Sequence, residues 1–539
     1  MCNIRYSGLV FWILSTALAC AQEPGQFTSS TVCGTCHSRL EMPAGAAAVQ
    51  RLWTPPSFRT GARPADASIA PAALFAGSVM AHSARDPYWK AKVRFEAANT
   101  PAAAEVIEDT CLRCHAPQQQ YGLRATGRRL RLDDLDETGQ QGAGCTVCHQ
   151  ISPTNLGTKA SFTGGFSIGT EKQIYGPHAE PFAMPMTMTS GFTPAQGTHM
   201  LDSALCGSCH TVITPVLDAA GRTLGEFIEQ GTYLEWLRSA QAKEGQTCQS
   251  CHLTTLKDSR GDLLGQFIAH TPGGGRFGPI RPRSPFGLHF FQGGNLQLLG
   301  MLRELFPDET PALELTMQRT RESLSSSASL EVTQRFAGSA LDAEVTIRNR
   351  TGHKLPTGFP SRRMWLHVVL RDRNGDAVFE SGLPDANGEI GSSQPHRTVI
   401  SKGEDVVVYE AEMRDSAGST TRSLIRASAF AKDNRILPRG YDSSLALPEG
   451  IDASGIAPVG VDNDADFVPG SDTVRYRIDT GTAKGPFRLT VELLYQSIKP
   501  SHVLDLDATR SAEEAEFLNL FPRHSAPALM ARQELVVIP

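Results

Sequence analysis

The sequence predicts an α+β protein in which a mostly helical and loop-rich domain is followed by an all-β sandwich. All of its recurrent cysteine motifs lie before residue 253, among short helix-forming segments and Pro/Gly-rich loops. After Ser325 the cysteines stop, and about eight or nine short β-type runs follow, some separated by turn signals such as RNGD and DANGE. We expect an export signal over residues 1–21, a motif-bearing domain over 22–305, a connecting helix over 306–325 and the sandwich over 326–539.

The N-terminus has the features of a secretory signal peptide. One basic residue precedes the apolar run YSGLVFWILSTALA, and small residues follow at Ala19, Cys20 and Ala21. An A-x-A cleavage site would leave Gln22 as the first mature residue, whereas lipidation of Cys20 is the alternative. We therefore expect a periplasmic or cell-surface protein with no transmembrane segment and a possible lipid anchor at Cys20.

Composition excludes one class of partner. The chain has 539 residues and a formal net charge of -5, with apolar and charged fractions that are ordinary for a globular protein. This balance does not favour nucleic-acid binding.

Ten of the twelve cysteines form five C-x-x-C pairs, each followed directly by histidine. Cys2 and Cys20 belong to the export segment, so none is left for a disulfide. The motifs comprise Cys33, Cys36 and His37; Cys111, Cys114 and His115; Cys145, Cys148 and His149; Cys206, Cys209 and His210; and Cys248, Cys251 and His252.

C-x-x-C-H is the attachment motif of c-type haem. A helical turn places both sulfurs along one porphyrin edge and directs the histidine at the iron as the proximal ligand. A zinc site or a redox dithiol would explain an isolated pair, but neither needs histidine directly after every pair. The recurrence in an exported chain therefore predicts five covalently bound haems c, each with iron.

Several helix starts are marked in this half of the chain. Asp86 precedes Pro87, which suits the first position of a helix, and Thr232 with Glu235 fits a capping box. Short helices that deliver the motifs fit a chain wrapped around large apolar cofactors.

The ligand on the other side of each iron decides what a haem does: histidine there gives a low-potential electron-transfer centre, and an open position permits substrate chemistry. Ten histidines remain after the five proximal ones. From their loop settings we expect metal ligands at His82, His178, His199, His289 and His353, with His270 in reserve. His367 alternates along a strand and is expected to be structural, and His396, His502 and His524 to lie in loops or at the surface. Met184, Met186 and Met188 could offer a thioether, although packing against a porphyrin suits them better.

Several stretches together resemble the bacterial multihaem c-type cytochromes that carry a β-rich C-terminal domain, which are relatives of the cytochrome c554/c-prime type. They are MAHSARDPYW, IEDTCLRCHAP, GCTVCHQ, IYGPH, LCGSCHTV, CQSCH, HFFQGGN, NRTGHKLPTGFPSRRMWLHV, AKDNRILPRGY and LLYQSI. The resemblance implies bis-histidine haems in an exported electron-transfer protein. It also implies that the GHKLPTGFP loop brings His353 from the β-domain back to a haem.

The predicted function is electron transfer through five closely packed haems, in a respiratory chain, with redox proteins as donor and acceptor. A rival is an oxidoreductase in which one haem lacks a distal ligand and acts on a small nitrogen or sulfur oxyanion, held by arginines such as Arg362. A third possibility is a surface protein whose sandwich binds a mineral.

Overall fold

The fold is seen in a computed structural model that describes residues 27–43, 45–46, 68–390 and 395–539. The expected export signal, with Cys20, lies outside these residues. Within the described part of the chain, no helix is long and apolar enough to cross a membrane.

The first half of the chain consists of short helices and loops. The helices are α1 (Ser30–His37), α2 (Pro71–Phe75), α3 (Pro87–Asn99), α4 (Ala104–His115), α5 (Pro117–Arg124), α6 (Cys145–Cys148), α7 (Ala183–Ser190), α8 (Ser203–His210), α9 (Thr232–Leu237), α10 (Ala240–Lys243), α11 (Cys248–His252) and α12 (Leu296–Leu305). Helix α3 begins as expected, because the Asp86 side chain accepts a hydrogen bond from the Trp89 N–H at 2.9 Å.

Four strands also lie in this half, where the sequence predicted helices and loops. Strands β1 (Gln173–Gly176) and β2 (Thr193–Gln196) form a parallel pair. Strands β3 (Val212–Leu217) and β4 (Thr223–Gln230) form an antiparallel hairpin. The hairpin turns at Gly221, whose φ of +77° favours glycine.

The second half begins with helix α13 (Thr310–Ser327) and then contains two larger sheets. The seven-stranded sheet comprises β7 (Arg363–Arg371), β8 (Ala377–Ser381), β10 (Val408–Asp415), β11 (Thr420–Thr421), β12 (Ala427–Asp433), β14 (Phe487–Gln496) and β15 (Ala528–Val537). The four-stranded sheet comprises β5 (Ala328–Ala337), β6 (Ala340–Asn349), β9 (Val399–Ile400) and β13 (Ser471–Asp479).

Alternating burial along the strands gives the two larger sheets a shared core. On β6, Leu341, Ala343, Val345 and Ile347 are buried, and the residues between them are more exposed. These side chains pack in one apolar cluster with residues of the other sheet, among them Leu366. The chain is therefore a mixed α and β protein with its larger sheets in the C-terminal half.

The C-terminal region is not all β, however. Helix α14 (Ala512–His524) lies between the last two strands, and Ser511 caps it by accepting a hydrogen bond from the Glu514 N–H. Phe517 of α14 is fully buried in an apolar cluster with Tyr88 of α3. The expectation of strands alone was wrong here, because Ser511 is a favourable N-cap and the apolar face of the helix packs against α3.

Buried polar contacts join the two halves. Glu96 of α3 accepts hydrogen bonds from the Ser423 hydroxyl at 2.5 Å and from the Leu424 N–H at 2.7 Å. Gln297 of α12 accepts from the Ile498 N–H at 2.8 Å and from the Ser497 hydroxyl at 3.0 Å. Breaking such contacts would leave buried polar groups unpaired, so the halves hold each other in a fixed arrangement.

Candidate multihaem centre

Each of the five cysteine motifs lies on a helix or ends one. We refer to them as site 1 (Cys33–His37, on α1), site 2 (Cys111–His115, on α4), site 3 (Cys145–His149, on α6 and its C-cap), site 4 (Cys206–His210, on α8) and site 5 (Cys248–His252, on α11). In a helix, residues three apart project from the same face, so both sulfurs of each motif point the same way.

The motif cysteines are all at least partly accessible to solvent. Nine of them are half-buried and Cys251 is exposed. Unreacted cysteine is usually among the most deeply buried residue types. His210 of site 4 is likewise accessible at its surface, although desolvation by the surrounding protein lowers its pKa to about 4. Accessible sulfurs are what the covalent attachment of a cofactor requires.

Backbone carbonyls orient four of the five proximal histidines. The Nδ1 atoms of His37, His115, His149 and His252 donate to the carbonyl oxygens of Ile268, Ser83, Tyr175 and Gln292, at 2.6, 2.8, 2.6 and 2.7 Å respectively. Because a carbonyl oxygen only accepts, Nδ1 carries the proton and Nε2 presents its lone pair. This is the orientation in which histidine binds a metal through Nε2.

Burial also favours the neutral form of these rings. Desolvation lowers the pKa of all five proximal histidines, and the pKa of His115 falls to about 4. A protonated imidazole has no lone pair for iron, so neutral rings at physiological pH suit ligation.

At site 3 a second imidazole faces the proximal one. The ring centroids of His149 and His289 are 6.3 Å apart, and their planes differ by 14°. The Nδ1 of His289 donates to the Gly287 carbonyl at 2.9 Å, so its Nε2 is the nitrogen available for a metal.

At site 5 the same arrangement recurs. The ring centroids of His252 and His353 are 6.5 Å apart, with 21° between their planes. The Nδ1 of His353 donates to the Lys354 carbonyl at 2.9 Å. Desolvation lowers the pKa of His353, like that of His289, to about 4.

These separations fit one metal ion between each pair of rings. Two metal–nitrogen bonds of about 2 Å, plus the radius of each ring, give a centroid separation of about 6 Å. Direct stacking would bring the rings much closer, as for Trp89 and His115, whose centroids are 4.2 Å apart. The residues at sites 3 and 5 therefore fit a bis-histidine haem iron.

A buried polar network holds the His353 loop. Glu235 accepts hydrogen bonds from the Lys354 N–H at 3.1 Å and from the Thr357 hydroxyl at 2.6 Å. The Lys354 ammonium lies 2.6 Å from Asp433, and both side chains are fully buried. Arg435 also pairs with Asp433, through two nitrogens at 2.7 and 2.6 Å. The loop is thus anchored at the residues that directly follow His353.

Sequence reasoning missed the role of Glu235 in this network. The expected capping box does not form, because Gly231 is the N-cap of α9 and no side chain caps the helix. The Glu235 carboxylate turns instead to the Lys354 loop, more than a hundred residues away in the chain. No local pattern signals such a contact.

The segment around His289 serves two sites. The Phe291 N–H donates to the His252 carbonyl at 3.1 Å, and the Gln292 carbonyl accepts from His252 Nδ1. The same short stretch therefore orients the proximal histidine of site 5 and presents His289 to site 3.

The other three expected distal ligands are placed differently. His82 is fully buried, and its Nε2 contacts the Ala76 carbonyl at 3.0 Å and Glu309 at 3.1 Å, while its Nδ1 accepts from Arg85 at 2.8 Å. His199 Nε2 lies 2.8 Å from the Ile151 carbonyl. His178 is half-buried, and its pKa is lowered by desolvation and by Arg283. The structure does not bring a proximal histidine face to face with these three rings.

His270, the reserve candidate, has the features of a ligand. It is buried, and its Nδ1 donates to the Thr271 carbonyl at 2.6 Å. Its Nε2 is also buried and has no hydrogen-bond partner. Its backbone N–H donates to the Cys36 carbonyl, and its ring lies within electrostatic range of His37 of site 1. A buried imidazole nitrogen without a partner is costly unless a further group satisfies it.

Among the described residues, no second imidazole faces His115 or His210 as His289 faces His149. His115 stacks on Trp89 with the rings 3° from parallel. His210 has Arg362 within electrostatic range, and this cation contributes to its lowered pKa.

The remaining histidines lie in the C-terminal half. His367 contacts Glu492 and Glu380 through its two nitrogens, at 3.1 and 3.0 Å. His396 lies in a loop, as expected, and its side chain is 3 % exposed. His502 ends a short 3-10 turn and is buried, so neither histidine lies at the surface. Each is covered by contacts from distant parts of the chain: Tyr88 contacts His502 at 3.4 Å, and Asp464 contacts His396 at 2.7 Å.

His396 groups with Asp464 and Asp472, and their potential ligand atoms lie within 4.8 Å of one another. The Asn434 amide is oriented by the Glu410 N–H and the Val408 carbonyl, so its NH₂ donates to His396 Nδ1 at 3.1 Å. His396 Nε2 then carries the proton and donates to Asp464. A protonated Nε2 is no metal ligand, and this group is a hydrogen-bond network.

No protein-family description and no curated protein matches the chain. Its fold is similar to the crystal structure of a penta-heme cytochrome c552 from Thermochromatium tepidum. The two share a TM-score of 0.54 and 16% sequence identity, over 96% of this chain and 100% of that one. The likeness concerns the fold.

Proposed function

We propose that the chain is an exported pentahaem c-type cytochrome that carries electrons between redox proteins, in a respiratory chain. One observation carries this proposal. At site 3 and again at site 5, the histidine of a cysteine motif suited to haem attachment faces a second imidazole. Within it, residues 22–305 would form the haem domain, 306–325 a connecting helix and 326–539 a β-sandwich domain. The fold similarity to a penta-heme cytochrome supports it.

A haem bound at these motifs would supply a one-electron couple at its iron. The chain would supply position, ligation and polarity. Carbonyl-bound Nδ1 atoms fix the rings, and a low-dielectric surrounding keeps them neutral. The network of Glu235, Lys354 and Asp433 would let the β-rich half deliver one ligand, His353, to a cofactor attached to the other half.

One observation favours a second candidate, a multihaem oxidoreductase acting on a small oxyanion. His210 has a cation, Arg362, within electrostatic range, and no described imidazole faces it. Guanidinium groups bind oxyanions through paired donors, so an iron at site 4 could offer an open position beside an anion-binding residue.

Electron paramagnetic resonance of the oxidised, haem-loaded protein separates the two candidates, together with carbon monoxide added to the reduced form. Electron transfer through bis-histidine haems predicts low-spin signals at every site and no stoichiometric carbon monoxide binding. A high-spin, carbon monoxide-binding haem at one equivalent would favour the oxidoreductase and overturn the pure carrier.

A further inference from the structure

Sites 1 and 3 are held together by a serine at the start of α1. The Ser30 hydroxyl accepts a hydrogen bond from the Cys145 N–H at 3.5 Å. The thiols of Cys33 and Cys145 lie side by side. The first cysteine of one motif therefore meets the first cysteine of the other.

Sites 4 and 5 repeat this contact. The Ser203 hydroxyl, at the start of α8, accepts from the Cys248 N–H at 3.0 Å, and the thiols of Cys206 and Cys248 lie side by side. The two helices have related sequences, STVCGTCH and SALCGSCH, with the serine three residues before the first cysteine in each. In both pairs, the partner motif is the one whose histidine faces a second imidazole.

Site 4 also touches two further sites through its second cysteine. The Cys209 thiol lies beside Cys114 of site 2. Cys209 and Leu205 pack in one apolar cluster with Val147 of site 3. Through Cys206 and Cys209, site 4 therefore contacts three other sites, namely sites 5, 2 and 3.

Gly164 makes the approach of sites 2 and 4 possible. Its N–H donates to the Ser208 carbonyl at 2.8 Å, and a Cβ added at this residue would lie 2.7 Å from Cβ of Arg113. Its φ is +70°, a conformation that side chains disfavour. Only glycine fits between the two motif helices without displacing them.

From these contacts we propose that the haem network is branched, with site 4 as its junction. Two equivalent pairs, 1–3 and 4–5, join through the contact of sites 3 and 4, and site 2 attaches to site 4. Sites 1, 2 and 5 are then the three ends, and electrons exchanged between any two of them pass through site 4. This inference rests on the proposed function, since it needs haem at all five motifs.

The crystal structure of the haem-loaded full chain tests the connectivity directly. We expect the four shortest iron–iron distances to join sites 1–3, 3–4, 2–4 and 4–5. A linear order, or a shorter distance between sites 2 and 3 than between 2 and 4, would overturn the junction. Fewer than five bound haems would instead refute the proposed function, so the two failures are distinguishable.

A kinetic measurement tests the consequence. Methionine raises the potential of a haem, so His210→Met should turn the junction into an electron trap. After pulse reduction with less than one electron per molecule, we expect redistribution among the other haems to slow at least tenfold. The comparison variant His252→Met places the trap at an end of the network, so exchange among the other four sites should slow less than in His210→Met. His367→Met lies outside every motif, in the β-rich half, and is the control expected to keep the wild-type rate. Equal slowing in His252→Met and His210→Met, or none in His210→Met, would contradict a junction at site 4.

Discussion

Removal of the Asp433 carboxylate should release His353 from site 5. Asp433 lies 2.6 Å from the Lys354 ammonium, and both side chains are fully buried. In Asp433→Ala, Arg435 would keep its ion pair with Glu235 at 3.5 Å. The Lys354 ammonium would keep only its hydrogen bond to the Ala457 carbonyl at 3.4 Å. Breaking a buried pair in this way costs about 3–5 kcal/mol. The residue destabilised in this way, Lys354, directly follows His353, so we expect the loop to open.

The control for this variant is Lys354→Met. It removes the ammonium, keeps a side chain of similar volume and leaves Asp433 paired with Arg435. We expect its free energy of unfolding to stay within about 1.5 kcal/mol of the wild type.

Guanidinium unfolding of the haem-loaded protein measures the stability of both variants, and paramagnetic resonance counts high-spin haems. Asp433→Ala should lose about 3–5 kcal/mol and show up to one high-spin haem of five, as His353→Ala would. The reasoning fails if Asp433→Ala keeps all haems low-spin at wild-type stability, or if Lys354→Met releases His353 equally.

Three further variants test other parts of the site. His289→Ala should leave one haem high-spin and able to bind carbon monoxide, whereas His367→Ala, on a strand of the β-rich half, should change no haem spectrum. If the unpartnered Nε2 of His270 binds iron, His270→Ala should convert one haem from low-spin to high-spin. Unchanged spectra would exclude His270 as a ligand. Burial raises the pKa of Glu229 from 4.5 to about 7, so the native state binds an extra proton between these values. Stability should therefore fall by on the order of 3 kcal/mol as pH rises through this window, and Glu229→Gln should flatten that part of the pH profile.

The local features of the five motif sites could be predicted from the sequence. The fivefold recurrence of C-x-x-C-H behind an export signal predicts haem attachment. Asp86-Pro87 and the 306–325 segment lie at or near real helix boundaries. The loop settings predict His289 and His353 as ligands, and the family resemblance also implies His353. The structure places both rings opposite a motif histidine.

Contacts between distant segments could not be predicted in this way. The Nε2 atoms of His82 and His199 lie against backbone carbonyls, and such tertiary contacts leave no trace in the local pattern. The spacing of Glu235 from Thr232 predicts a helix cap, but the Glu235 carboxylate instead accepts a hydrogen bond from a loop of the β-rich half. Which motif neighbours which likewise depends on packing between helices far apart in the chain.

The number of haems is the quantity on which every other expectation depends. Intact-mass spectrometry of the mature protein, produced in a host that matures c-type cytochromes, measures it without assumptions about ligands. We expect the mass of the processed polypeptide plus five haems, retained after denaturation because the thioether bonds are covalent. A mass equal to the polypeptide alone would contradict the haem assignment at every motif.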